Sequence, residues 1–172
     1  MTTVQIQKSV KAKVGRAALA ERPAGGVRFD WGAALLSVYL MGAMYVDGWA
    51  HNHGLPEDFF TPWHGLVFSG LVALAAYLAI ALVRNHGRGY VWLGALPAGY
   101  GLSLFGAVLF QIAFAGDMVW HGIFGIEQNV EALLSPTHLL QALGMWAMVS
   151  GPLRAAWKRS DVNTANIWID VG

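Results

Sequence analysis

Four stretches of this 172-residue chain, residues 31–50, 66–83, 93–115 and 139–157, are apolar almost without interruption. As a helix, each is long enough to cross the roughly 30 Å of hydrocarbon in a bilayer. A helix apolar on all sides must be buried all round or face lipid, and a chain of this length has too little else to bury four of them. Composition agrees, with 56% hydrophobic and 12% charged residues, the latter about half the share usual in soluble domains. The expected fold is all-α: a polytopic membrane protein of four transmembrane helices arranged as two repeated helical hairpins.

All the lysines and arginines lie in residues 1–28, in the Arg84–Arg88 turn, or beyond Pro152. An even number of spans puts these three regions on one side, which the positive-inside rule makes cytoplasmic. Residues 1–28 read as a basic cytoplasmic tail without a signal peptide, residues 29–159 as the membrane domain, and residues 160–172 as a C-terminal tail. The two remaining loops carry Glu57, Asp58, Glu127 and Glu131 and no basic residue, so they face outward. A bacterial inner or plasma membrane, with both termini in the cytoplasm, is the expected location. A net charge of +1 gives no reason to expect nucleic acid, and the lack of cysteine excludes disulfides and thiolate ligation.

The polar residues within this apolar chain are patterned. Asp47 and His51 stand four apart at the end of the first span, which on a helix puts them on one face with Cβ atoms about 5–6 Å apart. Thr61-Pro62 opens the second span with an N-cap residue and a proline at the first helical position. His64 then falls in the first turn and faces back toward Asp47 and His51. The same arrangement recurs as Asp117, His121 and Ser135-Pro136-Thr137-His138. Counting back from each Pro-x-His unit pairs Glu57 with Glu131, and Gly70 matches Gly144. Residues 29–84 and 91–159 therefore read as two copies of one hairpin. The second loop is four residues longer, a small cost in closure entropy, and predicts a looser second site.

One carboxylate and two imidazoles converging from both arms of a hairpin form a metal-ligand set, predicted as Asp47, His51 and His64, and as Asp117, His121 and His138. His53, Glu57 and Glu131 are candidates for orienting those ligands by hydrogen bonding; His53 faces Ile123 at the matching position of the other copy. Copper, zinc and iron all accept such donors, and ligand type does not choose among them. Two other readings stand beside metal binding. The polar residues can serve assembly of a structural or accessory subunit in a larger membrane complex, or the paired histidines can ligate haem.

Asp47-x-x-x-His51 followed by Phe60-Thr61-Pro62-Trp63-His64 resembles the C subunit of the copper membrane monooxygenases, the particulate methane and ammonia monooxygenases. The resemblance implies copper at Asp47, His51 and His64, and extends to Asp117, His121 and His138 apart from the longer loop. It further implies a copper-dependent membrane oxidoreductase acting with partner subunits. The expected function is a metal-binding membrane protein that handles copper or supports oxidation in a membrane complex. Its expected partners are the lipid bilayer and either other membrane subunits or a second copy of this chain.

Overall fold

The computed structural model describes residues 5, 22–23, 25–55, 60–125 and 134–159. Every regular element among them is helical: α1 (Gly26–Asn52), α2 (Pro62–His86), a single 3-10 turn (Trp92–Gly94), α3 (Gly101–Phe124), α4 (Pro136–Val149) and α5 (Gly151–Lys158). At 1.5 Å per residue, α1, α2 and α3 are each about 36–40 Å long. These three are long and apolar enough to cross a membrane. Their outward faces are apolar too: Leu35, Val38, Val72, Ile80, Val108 and Ile112 are all more than half exposed. Such a surface fits lipid contact, since soluble proteins seldom expose large contiguous apolar patches.

The helices pack mainly as two antiparallel pairs, α1 with α2 and α3 with α4. Close approach is purchased with glycine. A Cβ on Gly70 would lie 3.1 Å from Leu40 Cα, and one on Gly144 would lie 2.9 Å from Phe110 N. Leu40, Ala43, Val67, Leu71, Leu74, Ala107, Phe110 and Met148 form one core shared by α1, α2, α3 and α4. A second cluster, Ala33, Leu78, Leu96, Tyr100 and Ala155, closes the end where the basic residues gather.

The third and fourth apolar stretches depart from expectation. Residues 93–115 were expected to be one span, but α3 begins only at Gly101. Pro97 disfavours helix in the residue before it. Gly99 takes φ +102°, and a Cβ there would lie 2.6 Å from Ala155 N, so this segment turns beneath α5 instead of extending α3. Ala95, Leu96 and Tyr100 plug that end of the bundle, and Asn85 Nδ2 donates to Ala95 O at 2.9 Å. Residues 139–157 form two helices that part at Ser150. Pro152 has no N–H to give Met148 O, and its ring crowds that carbonyl. Arg154 repairs the break, donating to Ala147 O at 2.8 Å, Ser103 Oγ at 2.7 Å and Gly99 O at 2.9 Å, and to Ser150 Oγ. A helix interruption needs such substitute partners where water is scarce.

Candidate metal centres

Both Asp/His/His groups assemble at the end of the bundle away from the basic residues. Asp47 and His51 occupy the closing turns of α1, and Thr61 caps α2 with extended backbone (φ −65°, ψ 152°) ahead of Pro62. His64 is thereby placed three residues past the cap and turned back onto α1. His64 Nε2 lies 3.4 Å from Asp47 Oδ1, His51 Nε2 lies 3.6 Å from Asp47 Oδ2, and the two Nε2 atoms are 3.2 Å apart. One ligand atom from each of the three lies within 4.8 Å of the other two. The three residues fit a metal ion.

The second group is built the same way. Asp117 and His121 end α3, and Ser135 caps α4, accepting from His138 N at 3.2 Å. His121 Nε2 and His138 Nε2 each lie 3.5 Å from Asp117 Oδ2. Here too one ligand atom from each residue falls within 4.8 Å of the others, so each trio can hold a metal ion. Both aspartates are largely sequestered, with side chains 13% exposed at Asp47 and 6% at Asp117. A carboxylate so placed is costly unless it is compensated by cations or hydrogen bonds.

The outer imidazole nitrogens are also held. Thr61 Oγ1 lies 2.7 Å from His64 Nδ1, and Ser135 Oγ lies 2.9 Å from His138 Nδ1. His121 Nδ1 lies 3.0 Å from Gly125 O. A carbonyl oxygen only accepts, so Nδ1 of His121 carries a proton, and Nε2 is the nitrogen placed beside Asp117 for an ion. Metal-binding histidines are ordinarily oriented by a partner on the second nitrogen in this fashion. Thr137 Oγ1 donates to Asp117 Oδ1 at 2.6 Å. Trp63 occupies the matching position of the first group, and its Nε1 is buried without a hydrogen-bond partner among the described residues.

All six predicted ligands are thus brought together as two trios. His53 joins neither: its Nδ1 lies 2.8 Å from Trp49 O, and its ring stacks on Trp49 with centroids 4.3 Å apart. Glu57 and Glu131 lie outside the described residues. From the sequence, Thr61 and Ser135 read only as helix caps, and Thr137 and Gly125 do not stand out. The signal for the two caps was present, because a residue three past an N-cap reaches back to it, as glutamate does in a capping box. No signal of that kind marks Thr137, whose partner is 20 residues away on another helix.

Between the groups runs an aromatic contact. The His64 ring stacks on Phe68 at 6.2 Å, and Phe68 meets Phe114 edge-on at 4.9 Å, one turn before Asp117. Comparisons with protein-family models, curated proteins and solved structures find no match to this chain.

Proposed function

We propose that this chain is an integral membrane protein that binds copper at two Asp/His/His centres and either handles copper or supports oxidation within a membrane complex. The observation that carries this reading is the convergence of one carboxylate and two imidazoles, twice, with His51, His64 and Asp47 only 3.2–3.6 Å apart at the first centre. Imidazole and carboxylate without thiolate suit Cu(II), and also zinc or iron. The resemblance of Asp47, His51 and Phe60–His64 to the copper membrane monooxygenase C subunit favours copper. Haem fits poorly. Axial ligation needs two imidazoles on opposite faces of a porphyrin, whereas these converge on one point beside a carboxylate.

Within this proposal the centres descend from a duplicated hairpin. Shifting α1 by 70 positions superposes Asp47 on Asp117 and carries the buried set Ala33, Ser37, Leu40 and Ala43 onto Ser103, Ala107, Phe110 and Ala113, all buried. Gly70 packs on Leu40 and Gly144 on Phe110, each seven residues before its aspartate. The fourth crossing is then made by α4 and α5 together, with both centres outside. Cysteines at Phe60 and Leu134 should react with an impermeant thiol reagent on intact cells, and one at Gly87 should not.

Metal analysis of the purified protein tests the central claim. About one to two copper ions per chain are expected, with a Cu(II) EPR signal showing nitrogen coupling. Stoichiometric zinc without copper would move the reading to a structural or transport role, and protein free of any metal after growth in copper would end it.

A further inference from the structure

At the other end of the bundle, the approach to α1, the loop before α3 and the end of α5 border an open hollow of about 320 Å³. This is room for about ten waters at ~30 Å³ each. Arg22, Lys158 and Arg159 line it, and Asp30 is its sole carboxylate among the described residues. That carboxylate is already engaged: Tyr100 donates to Oδ1 at 2.7 Å, and Arg159 pairs with Oδ2. Arg22 and Lys158 remain, both exposed and neither in an ion pair with a described residue. The rest of the wall is small or apolar: Pro23, Gly25, Gly26, Pro97, Ala98 and Ala155.

Two cations uncompensated by the cavity's own acid make a site for an anion. Its place along the bundle narrows the kind. From Gly26 to Asp47, α1 rises about 30 Å, so if the metal centres lie near one membrane surface, this cavity lies at the level of the opposing headgroups. Basic pockets between helices at that level take phosphate-bearing headgroups, and arginine matches the paired oxygens of a phosphate. We propose that the cavity binds a phosphate oxyanion, supplied by an anionic phospholipid headgroup or by free phosphate. The site is independent of the metal centres. Its lipid source rests on the membrane reading, while its phosphate chemistry does not.

Full-length protein, delipidated in an uncharged detergent, can be titrated with short-chain phosphatidylglycerol, short-chain phosphatidylcholine and inorganic phosphate. The double variant R22Q/K158Q is compared with R84Q/R88Q, which removes equal charge outside the cavity. Phosphatidylglycerol should bind more tightly than phosphatidylcholine, and R22Q/K158Q should weaken it roughly 30-fold, each cation near a headgroup contributing about fivefold. R84Q/R88Q should retain binding. Saturation by inorganic phosphate with the same dependence on Arg22 and Lys158 would assign the site to free phosphate and keep the chemistry. Equal losses in the two double variants would show diffuse surface charge and overturn the proposal. So would failure of both phosphatidylglycerol and phosphate to bind. Unchanged helicity and metal content in R22Q/K158Q separate a lost site from a lost fold, and a metal-free but phosphate-binding protein would end the copper reading alone.

Discussion

The two Asp/His/His groups share ligand types and the four-residue step from aspartate to first histidine but use their carboxylates differently. At the first, Asp47 turns a separate oxygen to each imidazole, Oδ1 to His64 and Oδ2 to His51. At the second, Asp117 turns Oδ2 to both imidazoles while Thr137 holds Oδ1. The residue just before the second histidine differs between them: Trp63 in the first group and Thr137 in the second. A carboxylate pinned by a hydroxyl is pre-organised with one oxygen presented. Trp63 offers no such hydroxyl, and Asp47 faces one imidazole with each oxygen. The longer second loop predicts a looser second centre, whereas the hydroxyl that orients Asp117, that of Thr137, comes from helix α4. The second centre is therefore expected to bind a metal ion more tightly.

Removing a shared ligand should have the largest effect. Asp47→Ala and Asp117→Ala should each abolish metal at one centre and leave the other filled, so that metal analysis finds half the wild-type content in either variant and none in the double. If either single change empties both, the groups act as one coupled centre, with Phe68 and Phe114 the contact between them.

Next in size is the helix contact beneath each centre. A Cβ on Gly106 would lie 2.8 Å from Met148 N and against Gly144 O, with backbone on both sides and nothing able to yield. At Gly70 the nearest atoms are 3.1–3.3 Å away and include the end of the Leu40 side chain. Gly106→Ala should thus cost about 3 kcal/mol, the upper end for overpacking, and Gly70→Ala about 1 kcal/mol. Thermal unfolding in detergent would show it. Similar losses at the two positions would mean that the helix pairs are equally tolerant and that the glycine contact does not distinguish them.

The anchor itself comes third. Thr137→Val should weaken metal binding at the second centre about tenfold, the low end for loss of a group that orients a ligand, and leave the first unchanged. Trp63→Thr offers the missing hydroxyl to Asp47 and should tighten the first. No change from Thr137→Val would remove the proposed basis for ranking the centres.

Much of this was legible in the sequence because it is local. Asp47 and His51 share a face by helical periodicity alone, and Thr61-Pro62 and Ser135-Pro136 mark helix starts by cap chemistry. The first two spans lie within α1 and α2. What failed depends on contacts distant in sequence. Residues 93–100 are as apolar as the helix that follows, and only the approach of Gly99 to Ala155 shows that they turn away. The break at Ser150 hides in a run whose hydropathy continues through it, and Arg154, which repairs it, looks from sequence like an ordinary flanking charge.

The smallest expected effect separates the two caps. Ser135 Oγ accepts from His138 N and also lies at hydrogen-bonding distance from His138 Nδ1, so it both caps α4 and orients a ligand. Thr61 makes no side-chain cap bond, and its hydroxyl is directed to His64 Nδ1 instead. Ser135→Ala should therefore lower stability by about 1 kcal/mol, the usual cost of losing an N-cap, and weaken metal binding at the second centre. Thr61→Ala should weaken metal binding at the first with little loss of stability. Thr61→Ser, which keeps the hydroxyl, should restore that binding. Thermal unfolding of the metal-free variants, read beside metal titrations of each, isolates the two roles. A stability loss in Thr61→Ala equal to that in Ser135→Ala would show that both hydroxyls act as caps and that the first imidazole is oriented by other means.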